Sequence, residues 1–279
     1  MILAPLRGVT VRCFRRTFAK AVRDAGFDEA LTPFVSAMPG ADPMRDRELR
    51  DGPEAEPPGL RVTPQFIGKD PAALRLCLLR IRDAGYETAD LNCGCPFPMV
   101  RGKGRGSGLL RSPDGLRRML DAGCGTMGAG RFSVKARLGV DRPDELLSLM
   151  PVLNEFPLRF LTVHARTARQ MYDGAVDLAA LAEVRAAAKM PVVANGDLDW
   201  RDGAGMVGRS FIRSLGERDD AGSLLKMYMD ASAAELGGER PVLGRMKELL
   251  SYWRDLPRWR SRWGLLKICR SMDEMRMLI

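Results

Sequence analysis

The sequence is poor in the residues that build metal sites and membrane spans. It contains one histidine, His164, and no CxxC pair or Cys/His cluster that would complete a four-ligand metal site. It has no run of about eighteen uncharged apolar residues, and its first residues, MILAPLRGV, are interrupted by Pro5 and Arg7, unlike a signal peptide. We therefore expect a cytoplasmic protein without a metal ion or a membrane segment.

The cysteines raise a question about one short segment. Six are present, and without an export signal we expect them to be reduced thiols. Cys93 and Cys95, in ADLNCGCPFPMV (89–100), are separated by a single glycine, which is too close for an ordinary disulfide. The pair therefore consists of two buried thiols, or one of the two takes part in chemistry.

An excess of positive charge favours a polyanionic partner. The 279 residues include 44 Lys+Arg and 35 Asp+Glu, a formal net charge of +9. Near the C-terminus, WRDLPRWRSRW (253–263) alternates tryptophans with arginines, which would offer stacking surfaces beside phosphate-binding cations. The alternative is a helical hairpin with the tryptophans in its own core and the arginines in solvent.

Short β-type runs alternate with helical patterns along the first two hundred residues. Strands are predicted at 2–6, 30–36, 63–68, 88–93, 132–138, 160–165 and 191–196, and helical patterns at 71–85, 113–123, 145–156 and 177–189. A unit of about thirty residues, with strands that are apolar on both faces, favours a parallel sheet. Seven or eight such units predict an α/β fold of the (β/α)8 TIM-barrel type.

Unusual polar residues stand at the ends of these strands. The set comprises Gln65, Asn92, Cys95, Lys135, His164, Asn195 and Asp197. Each alone has an ordinary explanation, such as a turn cap or a satisfied core histidine. Because the active sites of such barrels lie at the carboxyl ends of the strands, the set as a whole predicts one site at the barrel mouth.

Several motifs resemble one enzyme family. DLNCGCP, followed by GSGLL, SVKARLG, VHARTARQMYDG, VVANGDL and MVGR, is similar in order and spacing to the flavin-dependent tRNA-dihydrouridine synthases, over most of residues 2–209. The segment RMKELLSYWRD (245–255) is similar to the C-terminal helical domain of the branch acting at tRNA position 16. The resemblance implies an FMN-binding TIM-barrel catalytic domain at 1–212 and a C-terminal helical tRNA-binding domain at 213–279.

The resemblance also implies roles for individual residues. Cofactor binding would fall to Pro5, Leu6, Arg7, Gln65, Asn92, Lys135, His164, Asn195, Gly196, Asp197, Gly208 and Arg209. Lys135 would place a positive charge near the pyrimidine edge of the flavin, and Gly208 and Arg209 would hold its phosphate. NADPH would be the co-substrate and electron source. Contacts with tRNA would come from Arg101, Lys103, Arg105, Arg258, Arg260 and Arg262.

Cys95 is the family's general acid by the same resemblance. Reduction of the C5=C6 bond of uracil needs a hydride at C6 and a proton at C5. A thiol with an ordinary pKa near 8.5 is mostly protonated at neutral pH and can still release its proton. Cys93 would face the other way along an extended segment, and we interpret it as a small buried hydrophobic residue.

The sequence departs from the family pattern in three places. Pro33 replaces an acidic residue, Arg7 stands where a smaller or acidic residue is common, and from Asp197 onward only DLDWRDGAG (197–205) precedes MVGR. A parallel crossover normally needs a dozen or more residues. The barrel is therefore expected to be shortened around its seventh βα unit. The chain has lost that helix, or lacks a segment, or MVGR is not the eighth strand.

Three functions remain open from the sequence. The first is a monomeric tRNA-dihydrouridine synthase that reduces a uridine in the tRNA D-loop. The second is a catalytically impaired, RNA-binding descendant that has lost tight FMN binding with the shortened seventh unit. The third is another FMN barrel that acts on a free pyrimidine or an enone.

Overall fold

The computed structural model describes residues 1–279 and contains one sheet in which all pairings are parallel. Its strands are β1 (Ile2–Leu3), β2 (Glu29–Leu31), β3 (Val35–Ser36), β4 (Arg61–Thr63), β5 (Gln65–Ile67), β6 (Ala89–Cys93), β7 (Phe132–Gly139), β8 (Leu161–Thr167), β9 (Val192–Asn195) and β10 (Met206–Val207). Their order is β3-β5-β6-β7-β8-β9-β10-β1-β2-β4.

The sheet closes into a barrel, and its order has two ends only because two neighbouring strands are each interrupted once. β2 and β3 are the halves of one strand, broken at residues 32–34, and β4 and β5 are the halves of the next, broken at Pro64. Across the breaks, the amide of Thr32 donates to the carbonyl of Thr63, 3.1 Å away, and the amide of Gln65 donates to Thr32 Oγ1, 3.0 Å away. Proline has no N–H for a sheet ladder, which explains the break at Pro64. The predicted (β/α)8 barrel is confirmed.

The helices follow the predicted pattern with one break. They are α1 (Arg12–Thr17), α2 (Ala19–Asp24), α3 (Pro71–Asp83), α4 (Pro98–Arg101), α5 (Pro113–Met127), α6 (Glu145–Ser148), α7 (Met150–Leu153), α8 (Leu178–Ala187), α9 (Arg209–Leu215), α10 (Ala221–Glu235), α11 (Glu239–Ser251), α12 (Pro257–Ile268) and α13 (Met272–Leu278). The predicted helix at 145–156 is divided into α6 and α7 at Leu149, just before Pro151. None of these helices is long and apolar enough to cross a membrane.

The seventh βα unit has no α-helix. Between β9 and β10 there is only a 3₁₀ turn at Trp200–Asp202. The chain reverses within ten residues because Gly196, Asp197, Gly203 and Gly205 all adopt positive φ angles. MVGR nevertheless supplies the eighth strand, since Met206 pairs with Asn195 on one side and with Ile2 on the other. The predicted shortening is confirmed, and of its three explanations the structure excludes that MVGR is not the eighth strand.

The missing helix leaves part of the barrel wall uncovered. All four residues of β9 are half-buried, whereas those of β6 and β8 are buried throughout. On the neighbouring helix α8, only Val184 is buried, and Leu178 is 63% exposed. The barrel is therefore closed by hydrogen bonds between strands, but no helix covers its outer surface on this side, which we call the thin side.

Two hydrophobic cores hold the molecule together. One surrounds strands β5 to β8 with helices α3 and α5, and the other joins β1, α1 and α2 to the C-terminal helices. In the second core, Phe14 and Phe18 stack at 4.5 Å between ring centroids and both meet the edge of Tyr228. The C-terminal helices are thus fixed to the first βα unit of the barrel.

The tryptophans of the segment 253–263 belong mainly to this core. Trp253 and Trp259 are buried, and their indole N–H groups donate to the carbonyls of Ile212 and Gly216 at 2.7 and 2.8 Å. These two rings are not free to stack on a base, so the core alternative is correct for them. The division at 212/213 stays a prediction, and helix α9 spans that position.

Candidate functional site

A cavity of about 750 Å³ opens at the carboxyl ends of the barrel strands, between the mouth and the C-terminal helices. The predicted site residues that line it are Pro5, Leu6, Arg7, Asn92, Cys95, Lys135, His164, Asn195, Gly196, Asp197, Gly208 and Arg209. Gln65 does not line the cavity. It is fully buried beneath Asn92, which it contacts directly.

The backbone of Cys95 is fixed on both sides. Its amide donates to Asn92 Oδ1 at 2.9 Å, and its carbonyl accepts from Ser107 Oγ at 2.8 Å. Gly106 packs so closely that a Cβ atom there would lie 2.8 Å from the Cβ of Cys95, and its φ of +56° also favours glycine. The glycine and serine of the GSGLL motif thus hold the backbone of Cys95 in one place at the cavity wall.

Burial keeps the Cys95 side chain in the thiol form. The residue is 6% exposed, and desolvation raises the pKa of its thiol, while Arg7 and Arg137 oppose the shift. Cys93 points away into the hydrophobic core, where burial also raises the pKa of its thiol. The interpretation of Cys93 as a small buried hydrophobic residue is confirmed. All six cysteines are unpaired.

A chain of hydrogen bonds runs from the barrel interior to Cys95. Gln65 Nε2 donates to Asp90 Oδ2 at 2.7 Å, and Asn92 Nδ2 donates to Gln65 Oε1 at 2.8 Å. Asn92 Oδ1 then accepts from the amides of Gly94 and Cys95. Gln65 therefore acts on the cavity through Asn92.

Lys135 links the two sides of the barrel mouth. Its Nζ donates to Asn195 Oδ1 at 2.9 Å, and Asn195 Nδ2 donates to the carbonyl of Met206 at 2.8 Å. Burial lowers the pKa of Lys135 to about 8, Arg137 adds to this effect, and Asp90 opposes it. β7, β9 and β10 thus share one polar network at the cavity.

His164 is held in its neutral form. Burial lowers its pKa to about 2, and Lys135, Arg137, Arg166 and Arg209 add to the shift. Arg166 Nη1 lies 3.3 Å from His164 Nε2, so in this network the guanidinium donates and the imidazole proton is assigned to Nδ1. The histidine can accept or donate a hydrogen bond here but carries no charge near neutral pH.

The side formed by β9 and β10 depends on close backbone contacts. A Cβ atom on Gly196 would lie 2.7 Å from His164 Cδ2, and one on Gly208 would lie 3.1 Å from the Cβ of Ala4. Asp197 pairs with Arg166, which lowers the pKa of its carboxyl group. Arg209 is exposed, and its guanidinium carbon lies 4.2 Å from the centroid of the Tyr172 ring.

Several lining residues were not predicted. Arg137 stands two residues after Lys135 on β7, and Tyr172 belongs to the quoted motif VHARTARQMYDG, so the sequence carried a signal for both. The C-terminal helices contribute further residues to the wall, namely Leu236, Pro241, Gly244, Arg245, Glu248 and Tyr252. Arg245, Glu248 and Tyr252 lie in the quoted segment RMKELLSYWRD, but nothing in the sequence indicates that they reach the cavity, because tertiary packing brings them there.

The residues predicted to contact RNA fall in two places. Arg101 ends α4, and Lys103 and Arg105 follow in the loop after Cys95, next to the exposed side chains of Phe97 and Met99. Arg258, Arg260 and Arg262 lie on the exposed face of α12 and donate to main-chain carbonyls. No residue of α12 lines the cavity. No group of three potential metal ligands is present.

Comparisons with known proteins agree with this geometry. A family model described as dihydrouridine synthase matches residues 2–207. The chain is 33% identical over 202 residues to a probable tRNA-dihydrouridine synthase of Rhodobacter capsulatus, covering 71% of this chain and 60% of the relative. It is 32% identical over 212 residues to the tRNA-dihydrouridine(16) synthase of Shigella flexneri, covering 72% and 65%. The chain thus aligns with about two thirds or less of the length of these relatives.

Solved structures with a similar fold are distant from this chain in sequence. Morphinone reductase in a complex with tetrahydroNAD superposes with a TM-score of 0.54 at 13% identity, covering 76% of this chain and 83% of that one. The old yellow enzyme homologue from Zymomonas mobilis superposes with a TM-score of 0.54 at 13% identity, covering 76% and 85%. These likenesses bear on the fold alone, whereas the family model bears on the chain's ancestry. The chain belongs to the dihydrouridine synthase family.

Proposed function

We propose that this protein is a tRNA-dihydrouridine synthase that reduces the C5=C6 bond of a uridine in the tRNA D-loop. The observation that carries the proposal is a buried thiol, Cys95, whose backbone is fixed at the wall of a cavity lined by cations. The cavity stands where active sites of (β/α)8 barrels are found. FMN would be the cofactor, NADPH the co-substrate, and the cytoplasm the place of action.

The cavity fits a flavin mononucleotide. Its volume of about 750 Å³ lies within the usual range of cofactor sites. Gly196 and Gly208 leave room that a side chain would fill, and Lys135 and Arg209 supply positive charge for a phosphorylated, electron-rich ligand. Pro5, Leu6 and Asn195 complete the wall. When bound, FMN supplies the hydride for C6 of the uracil.

Cys95 would supply the proton for C5. Its thiol stays protonated because the thiolate is penalised by burial, and release of the proton is assisted by Arg7 and Arg137, which favour the anion. Asn92 and Ser107 hold its backbone, so the thiol does not have to be ordered when the substrate arrives. The neutral His164 would offer a hydrogen bond without repelling the cations around it.

Binding of tRNA would involve extrusion of the target base into the cavity. Arg101, Lys103 and Arg105 follow Cys95 in the chain and would contact phosphates outside the cavity, whose wall includes the exposed ring of Phe97. Arg245 and Tyr252 line the opposite wall from the C-terminal helices. Arg258, Arg260 and Arg262 lie outside the cavity and would contact more distant phosphates. A monomer is sufficient for this arrangement, since one chain supplies the whole wall.

Two other functions compete with this proposal. The impaired descendant would have lost its cofactor site with the seventh helix, but β10 stays in register and Gly208 and Arg209 line the cavity. A barrel acting on a free pyrimidine would have no need for the basic loop at 101–105. The missing seventh helix is the one observation that favours the impaired descendant, and no observation favours the third function.

Reconstitution with defined tRNA tests the proposal. Purified protein should absorb near ~450 nm as flavoproteins do. With NADPH and unmodified tRNA it should form dihydrouridine at one D-loop position, mapped by mass spectrometry. Colourless protein that binds tRNA would favour the impaired descendant. Reduction of free uridine at the same rate as tRNA would favour the third function.

A further inference from the structure

A carboxyl group lies deep in the barrel interior, below the cavity. Asp90 is fully buried on β6, two residues before Asn92. Its Oδ1 accepts from Ser133 Oγ at 2.7 Å, and its Oδ2 accepts from Gln65 Nε2 at 2.7 Å. A buried carboxylate is unfavourable unless its oxygens are hydrogen-bonded, and Asp90 does not line the cavity. A role in contact with substrate or cofactor is therefore excluded for this side chain.

The carboxylate gives the hydrogen-bond chain a single direction. An ionised carboxylate only accepts, so Gln65 must turn its NH2 group toward Asp90 and its oxygen toward Asn92. Asn92 must then donate to Gln65, which leaves its own oxygen for the amides of Gly94 and Cys95. Were the chain reversed, the NH2 group of Asn92 would face those two amides, and donor would meet donor.

We propose that Asp90 is a positioning residue for Cys95, because its carboxylate fixes the direction of the Gln65–Asn92 relay that holds the amides of the cysteine turn. The importance of Cys95 rests on the proposed function, but the relay itself does not. An amide at position 90 could face Gln65 with either its oxygen or its NH2 group. Both orientations of the Gln65–Asn92 relay would then be populated. Asn92 would accept from the amides of Gly94 and Cys95 in only one of them.

The charge state of Asp90 sets the conditions of a test. Burial raises the pKa of its carboxyl group to about 7, whereas hydrogen bonds from Ser133 and Gln65 and the charge of Lys135 oppose the shift, and Glu29 adds to it. The carboxylate is therefore the main form at about pH 8.

The experiment measures the alkylation rate of Cys95 by iodoacetamide at about pH 8. It uses the full-length protein carrying Cys93→Ala, because Cys93 and Cys95 fall in one tryptic peptide. In this background Asp90→Asn should accelerate labelling at least about fivefold, the factor expected from losing one net hydrogen bond. Ser133→Ala is the matched control. It removes the hydrogen bond from Ser133 to Asp90 but leaves the carboxylate that fixes the direction of the relay. The labelling rate should therefore stay within about twofold of that of the parent protein.

A second substitution should reverse the effect. Gln65→Glu combined with Asp90→Asn moves the carboxylate one step along the relay, where it accepts from Asn92 and from the side-chain amide introduced at position 90, and so restores the direction. The double variant should label at the rate of the parent protein. If Asp90→Asn does not fold, the double variant alone decides the test. A labelling rate equal to that of the parent protein would support the relay. Faster labelling, or a double variant that does not fold, would overturn it.

Other outcomes are equally decisive. Unchanged labelling in Asp90→Asn, or equal acceleration in Ser133→Ala, would show that Asp90 only fills space. Labelling requires neither tRNA nor NADPH, so these results do not depend on the proposed function. If the function is right as well, Asp90→Asn should lower kcat for tRNA and leave KM within about twofold, and the double variant should recover kcat.

Discussion

The two sides of the barrel mouth are built differently. Cys95 follows β6 and Lys135 lies on β7, strands of five and eight residues that are almost entirely buried. Asn195 and Arg209 belong to the opposite side, where β9 and β10 have four and two residues and no α-helix joins them. The first side is held by continuous ladders and a hydrophobic core, the second by glycine turns and an ion pair.

This difference in rigidity agrees with the precision that each proposed function requires of its residues. Proton transfer to a carbon requires a donor positioned within a fraction of an ångström, which a rigid element provides. Holding an anionic group requires charge in approximately the right place, and a long arginine can adjust to small shifts of its backbone. If the proposed function is right, the barrel can therefore lose a helix beside the side proposed to bind the phosphate at lower functional cost than beside the proposed proton donor.

The largest effect is expected at the rigid side. Cys95→Ala should reduce the rate of uridine reduction by about 10²- to 10⁴-fold, as loss of a general acid does, because no other thiol reaches the cavity. FMN affinity and flavin reduction by NADPH should be nearly unchanged, measured by fluorescence titration and stopped-flow absorbance. Cys93→Ala is the control and should keep its activity. Equal losses in both variants would remove Cys95 from the mechanism.

The ionisation of Cys95 provides a second contrast. Burial disfavours the thiolate, so the folded-state pKa is above the ordinary value and the group is protonated at neutral pH. Above about pH 8, where Asp90 is ionised, labelling by iodoacetamide should therefore rise about tenfold per pH unit without a plateau. On the other side of the mouth, the hydrogen bond from Arg166 lowers the pKa of the Asp197 carboxyl group, so that group is ionised at neutral pH. A labelling plateau below pH 8 would contradict a buried thiol.

A third prediction concerns the cationic residues of the two sides. Arg209→Ala should weaken FMN binding by about 10- to 100-fold, since it removes a guanidinium suited to a phosphate. Lys135→Ala should instead slow flavin chemistry more than it weakens binding, because its ammonium lines the cavity and would place positive charge at the reacting ring. Fluorescence titration of FMN into wild-type and both variants separates the two effects. Tight binding that Arg209→Ala leaves unchanged would place the phosphate elsewhere.

The fold could be predicted from the sequence because periodicity reports burial. Apolar runs predicted seven strands, with bounds correct to within a few residues. The short connection at 197–206 predicted that the seventh helix is absent. The break of β2 from β3, and of β4 from β5, was not predicted. A proline in a run excludes one ladder bond, but whether the strand resumes afterwards depends on neighbours such as Thr32 that bond across the gap. Periodicity within a segment contains no such information.

The candidate site was predictable only where a residue's own strand brings it to the mouth. Lys135 and His164 stand on β7 and β8, and the structure places both at the cavity. Gln65 was expected to contact the ligand, but it lies below the cavity surface, beneath Asn92. The position of a residue along its strand does not tell how deep its side chain lies. Arg245 and Tyr252 are far from the barrel in sequence and reach the cavity through packing of the second core.

The smallest effect is expected where the seventh helix is absent. In a complete barrel the start of α8 would be covered by the next helix, but here Leu178 is 63% exposed. Leu178→Ala should therefore change the free energy of unfolding by less than about 0.5 kcal/mol. Leu116→Ala on the covered helix α5 is the matched control, and because Leu116 is fully buried it should cost about 2–5 kcal/mol.

Chemical denaturation of the two leucine variants, followed by circular dichroism, measures this difference. Both substitutions remove the same atoms from the same type of element, so any difference in stability comes from what lies over the helix. A cost at Leu178 close to that at Leu116 would mean that another surface covers α8 in solution. That cost would then depend on protein concentration if the covering surface were a second copy of the chain. Independence from concentration, together with a small cost, would show that the thin side of the barrel faces water.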